Sequence, residues 1–123
     1  MNMAQGAGHD FSVGWLLDRA GDDVHKAPNL SLGAGNANGI GIFADLAGTD
    51  TYESSGVTLG KAAESPASSI RSRCLCLGVF LDIGGNDTYP AAASWAKDGA
   101  KSANLTTRGP SAAESALGAF LDR

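Results

Sequence analysis

The sequence predicts an all-β protein: a parallel β-solenoid of about 3–4 coils, with a period of about 27 residues and loop inserts in the last two coils. Three observations lead there. A twelve-residue segment recurs in register. Each copy contains a short alternating apolar run bounded by glycine, the pattern of a strand of about five residues. The chain also holds 17 Gly and 21 Ala among 123 residues, with aromatics at only 7%. Such small side chains suit closely layered backbone rather than a conventional core of large residues.

The first copy runs Gly14-Trp-Leu-Leu-Asp-Arg-Ala-Gly-Asp-Asp-Val-His25 and the second Gly41-Ile-Phe-Ala-Asp-Leu-Ala-Gly-Thr-Asp-Thr-Tyr52. The third is Gly78-Val-Phe-Leu-Asp-Ile-Gly-Gly-Asn-Asp-Thr-Tyr89, and a fourth, Gly118-Ala-Phe-Leu-Asp122, is followed only by Arg123. Stacked coils would set equivalent residues about 4.8 Å apart. The expected ladders are Leu16/Phe43/Phe80/Phe120, Gly14/Gly41/Gly78/Gly118 and His25/Tyr52/Tyr89. A weaker element precedes each copy, with its first glycine at Gly6, Gly33, Gly60 and Gly99. The spacings of 27, 27 and 39 place inserts near residues 62–72 and 102–115. One domain, 1–123, thus divides into repeats of about 4–29, 30–56, 57–94 and 95–123. Ser111-Ala-Ala-Glu114 has the form of a helix capping box, so a short helix inside the fourth insert competes locally with the repeat register.

Composition excludes several classes. Glycine does not recur at every third position and Pro numbers four, which excludes collagen. No apolar run reaches the length of a membrane span. A formal net charge of −4 argues against nonspecific nucleic-acid binding. Met1 to Asp10 lacks the basic and apolar regions of a signal peptide, so the extracellular or cell-surface location expected here requires a signal outside this chain. Cys74 and Cys76 are spaced i, i+2, poorly placed for a mutual disulfide, and read as packed thiols.

Chemistry concentrates in the aspartates. Stacking would form one column of Asp18, Asp45, Asp82 and Asp122, and a second of Asp23, Asp50 and Asp87 flanked by Asp22, Thr49 and Asn86. Like charges on adjacent strands destabilise unless compensated. Calcium would compensate, since it takes six to eight oxygen ligands. Asp18, Asp23, Asp45, Asp50, Asp82 and Asp87 are therefore the candidate metal ligands, with calcium the expected cofactor. The competing reading has each carboxylate accept N–H groups of its own turn. Paired carboxylates also suit glycoside hydrolysis, but catalytic pairs need unlike environments and these repeat identically. No Ser/His/Asp or Cys/His constellation is readable, and no catalytic residue is assigned.

The motifs resemble the repeats of uncharacterised bacterial proteins built from QGxG…GxGxLxDxxGxDxY units. Gln5-Gly-Ala-Gly8 with Gly14–Asp23, and Val79–Tyr89, carry the likeness, which covers about 90 residues and implies a solenoid without an established activity. Gly48–Tyr52 and Gly85–Tyr89 are also similar to half of the calcium-binding RTX nonapeptide, although its tandem nine-residue spacing is absent.

No cap is readable at either end, which fits either a piece of a longer array or open ends that pair with other copies; the expected partner is another copy, stacked end to end as a homo-oligomer or homopolymer. The function expected is a non-enzymatic structural module, a filament or surface scaffold. The alternative is a calcium-stabilised adhesion module that binds an acidic glycan or protein through Arg71, Arg73, Lys101 and Arg108 of the basic inserts. A carbohydrate-active enzyme on a β-helix scaffold ranks third.

Overall fold

The computed structural model describes residues 3–63, 74–107 and 116–123, and among these it contains eleven short strands and no helix. They are β1 (Gly8–His9), β2 (Val13–Leu17), β3 (Val24–Ala27), β4 (Gly35–Asn36), β5 (Ile40–Asp45), β6 (Thr51–Ser54), β7 (Ala62–Ala63), β8 (Cys76–Asp82), β9 (Lys101–Ala103), β10 (Thr106–Thr107) and β11 (Ala116–Asp122). Three sheets result, ordered β1-β4-β7-β10, β2-β5-β8-β11-β9 and β3-β6.

The repeat register holds in the pairing. Leu16 lies opposite Phe43, Phe43 opposite Phe80, and Phe80 opposite Phe120. Phe43, Phe80 and Phe120 are fully buried and stack at 5.1 and 5.0 Å between ring centroids. The glycine ladder stands one step away on the same inward face, and it has a steric reason. A Cβ on Gly41 would lie 2.1 Å from the carbonyl oxygen of Ala34. Only glycine lets the strand close on the turn before it.

That turn explains the weaker motif. In Gln5-Gly6, Leu32-Gly33 and Leu59-Gly60 both residues are left-handed, with φ of 50° at Leu32 and 74° at Gly33. The conformation costs a non-glycine residue on the order of 1 kcal/mol. At Leu32 and Leu59 complete burial offsets it.

The expected parallel β-solenoid of about 3–4 coils is corrected: the strands form mixed sheets rather than a parallel solenoid. The sheets hold four, five and two strands, and the five-stranded one is mixed, because β9 runs antiparallel to β11. The third sheet stops at β3 and β6, continued only by a single bridge between Thr51 and Thr88. The physical cause is Pro90, which has no N–H to extend the ladder past Tyr89. The chain instead makes successive turns, with Ala93 N–H bonded to Pro90 O, Ala96 N–H to Ala93 O and Ala100 N–H to Lys97 O. These turns press Ala93, Ala96 and Trp95 onto the aromatic core before β9 returns along the edge of β11.

Two further expectations change with it. The fourth weak element is not at Gly99. Leu105 O accepts the N–H of Ala62, as Lys61 O accepts that of Gly35 and Ala34 O that of Gly8. Asn104 (φ 58°) therefore takes the left-handed place of Gly33 and Gly60. The fourth insert is also not all loop, since β9 overlaps the start of its expected span and β10 lies within it. The competing helix falls mostly on residues outside those described; from Ala116 onward the chain is strand.

Candidate functional site

The inward face of the five-stranded sheet reads Gly, Phe, Asp along each central strand, so the aspartate two residues beyond each phenylalanine also points inward. Asp45, Asp82 and Asp122 are buried in this way. The next turn brings His25, Tyr52 and Tyr89 alongside them. These rings stack at 5.2 and 5.0 Å and meet the phenylalanines edge-on.

The polar ends of the rings reach across each junction to the following repeat. His25 Nε2 lies 3.3 Å from Asp45 Oδ2. Tyr52 donates to Asp82 Oδ2 at 2.7 Å, and Tyr89 to Asp122 Oδ2 at 2.7 Å. Every buried member of the first aspartate column thus receives a short or moderate contact from the ring of the repeat before it. Asp18 has no such ring; its carboxylate accepts from the N–H of Arg19 and is half-buried.

The second column caps backbone. Asp50 Oδ1 accepts the N–H of Asp23, and Asp87 Oδ1 that of Asp50, both at 2.7 Å. These bonds come from the preceding repeat rather than from the residue's own turn, which corrects the turn reading for this column; in the first column Asp18 Oδ1 and Asp45 Oδ1 do accept N–H groups of their own turns, from Arg19 and Ala47. Asp98 continues the series by accepting the N–H of Asp87 at 3.0 Å. Sequence reasoning missed Asp98, because it lies in the turn layer after Pro90 and outside the repeated motif; the Asp98-Gly99 turn pair was its only signal.

Burial dominates the electrostatics. It raises the carboxyl of Asp82 to about 7, with the two tyrosine hydrogen bonds opposing the rise and Asp87 and Asp45 adding to it. Asp45 is raised by burial and then by Asp50, and Asp87 by burial and then by nearby carboxylates. Tyr52 and Tyr89 are pushed upward, first by burial and then by their aspartate partners, so both remain donors.

Three groups bring one potential ligand atom from each residue within 4.8 Å of the others: Asp18, His25 and Asp45; Asp45, Asp50 and Asp82; and Asp82, Asp87 and Asp122. Of the six expected ligands, Asp23 joins no group, and Asp18 joins only the one that includes His25. Asp122 enters although it stood outside the expected six. Among the described residues, Asp50 Oδ2, Asp82 Oδ1 and Asp87 Oδ2 are buried without a hydrogen-bond partner.

Elsewhere, Cys76 is buried with its thiol directed at Ala63 O, 3.3 Å away. Of the basic insert residues only Lys101 is among those described, exposed on β9. No helix among the described residues is long and apolar enough to cross a membrane. No family model matches the sequence, and no match was found among curated proteins or solved structures.

Proposed function

We propose that the chain is a non-enzymatic structural module that associates with a second copy through the end formed by β1, β2 and β3. One observation carries this reading: the two ends of the stack are unlike. Among the described residues β1 and β2 are the outer strands of their sheets and β3 pairs only with β6, so this end presents open strand edges. Val13 and Trp15 of β2 are 66% and 69% exposed, and Phe11 and Val24 are exposed beside them. At the other end β9 covers the far edge of β11 in the widest sheet.

An open end facing a partly covered one does not support indefinite head-to-tail growth. Two open ends meeting about a two-fold axis give a closed pair, with β2 antiparallel to its counterpart. The assembly proposed is therefore a dimer of stacks, a finite scaffold unit rather than a filament. The non-enzymatic reading is supported by regularity: at all three junctions a buried aspartate meets the ring of the repeat before it, in one structural role.

Light scattering on the full chain tests this. A mass near twice 12.4 kDa that falls to the monomer in a Val13→Lys/Trp15→Lys variant is the expected result. Both side chains are exposed, so the variant keeps its fold. A wild-type monomer at every concentration, or a variant that still dimerises, overturns the reading.

A further inference from the structure

The unpartnered carboxylate oxygens are the feature that assembly does not use. A buried polar atom without a partner costs about 1–3 kcal/mol, and more when charged. Asp50 Oδ2, Asp82 Oδ1 and Asp87 Oδ2 are all in that state, and Asp50 and Asp82 are 0% exposed. They are not scattered. Asp50 and Asp82 belong to one cluster of three carboxylates, and Asp82 and Asp87 to the next. The other oxygens of these side chains are engaged. Asp50 Oδ1 and Asp87 Oδ1 hold backbone N–H groups, and Asp82 Oδ2 holds both tyrosine hydroxyls. Each carboxylate is thus fixed by one oxygen and presents the other inside the junction.

We propose that Asp45, Asp50 and Asp82 form one hard-cation site and Asp82, Asp87 and Asp122 a second, one per junction, and that calcium is the ion they take. Oxygens no more than 4.8 Å apart can share a central ion, because calcium–oxygen bonds of about 2.4 Å place ligands on opposite sides of the ion at that separation. Both groups offer oxygen only, which selects a hard cation over zinc or copper. Magnesium demands near-ideal octahedral geometry at bonds of about 2.1 Å, whereas calcium takes longer bonds in a flexible shell and accepts this spread of carboxylates, with carbonyls and water completing its coordination. Asp82 serves both sites, so the ions form a short file along the stack.

The first junction is excluded. Its cluster replaces the second-column carboxylate with His25, Asp18 is half-buried, and none of its side chains has an unpartnered buried oxygen. Two sites rather than three is the specific claim. It does not depend on the dimer, since all the ligands lie within one chain.

The test is calorimetric titration of the chelator-stripped full chain with calcium chloride, with melting followed by circular dichroism. The expected result is about two ions per chain and a higher melting temperature in calcium than in chelator. Asp50→Asn and Asp87→Asn each keep the Oδ1 atom that caps backbone, so both variants fold. Each is expected to lose one ion, and the double variant both, while melting of the double variant in chelator matches or exceeds that of the wild type. No binding heat with identical melting in calcium and in chelator overturns the proposal. So does unchanged stoichiometry in the double variant. Light scattering on the same samples reads dimerisation separately, so failure of one proposal is not mistaken for failure of the other.

Discussion

The first junction of the stack and the two that follow occupy the same geometry with different chemistry. At the first, His25 faces Asp45 at 3.3 Å, and the aspartate of its own repeat, Asp18, is half-buried and has no ring above it. At the second and third, tyrosines donate at 2.7 Å to Asp82 and Asp122, which are buried from both sides. The phenylalanine ladder runs through the later junctions but begins with Leu16, which is not a ring. The difference teaches where the molecule concentrates its stability. The interior junctions are buried and ring-stacked, and the first repeat is a more exposed layer whose outer strand carries Val13 and Trp15 into solvent.

The sharpest way to break the comparison is at its centre. Phe80→Ala removes a fully buried ring stacked between Phe43 and Phe120. It is expected to destabilise by about 3–5 kcal/mol, measured by urea unfolding, whereas Leu16→Ala in the first repeat should cost clearly less. A similar loss at both positions would show that the layers are equivalent.

Next in size is the response to pH with metal removed. Asp82 has its carboxyl raised to about 7 by burial, against about 3.9 in an unfolded chain. Between those values the folded protein holds a proton that the unfolded chain has released. Stability therefore falls as pH rises through this window, and the penalty is complete above it. Melting in chelator at pH 5 should exceed melting at pH 8, and calcium should reduce or reverse the difference. A melting temperature that rises from pH 5 to 8 in chelator would contradict this.

Tyr52→Phe removes a donor from a buried carboxylate and should cost about 1.5–3 kcal/mol. His25→Phe gives up a longer contact at the first junction and should cost less. Equal losses in denaturant unfolding would remove the distinction between junctions. The smallest effect belongs to Asp18→Asn, at the half-buried start of the column, where a change within about 0.5 kcal/mol is expected.

The repeat made much of this legible. Twelve positions recurring in order place Phe43, Phe80 and Phe120 in one ladder and His25, Tyr52 and Tyr89 in another, because a strand pairs with its equivalent when identical side chains fill identical space. The aspartate columns followed from the same register. What lay outside the repeat could not be read. Pro90 ends the third sheet, but nothing local says that the chain then lays Ala93 and Ala96 on the core or returns as β9 antiparallel to β11. Asn104 in place of the expected Gly99 was hidden because asparagine also tolerates left-handed backbone. The direction of the carboxylate bonds was hidden too. Sequence distance favours a residue's own turn, while stacking brings the N–H of the previous repeat within 2.7 Å.

The offset of those bonds by one repeat has a consequence for how such a chain changes length. Each ring serves the aspartate after it, and each second-column carboxylate serves the backbone before it, so a repeat carries half of two junctions rather than one whole junction. Excision of residues 30–56 would bring His25 against Asp82, Leu16 against Phe80 and Gly8 against Ala62, with each ladder kept in register. Duplication of the same segment would add a junction of the tyrosine type. Interior repeats are interchangeable parts, while the segment from Pro90 to β9 has no counterpart among the described residues and sits between the third repeat and β11.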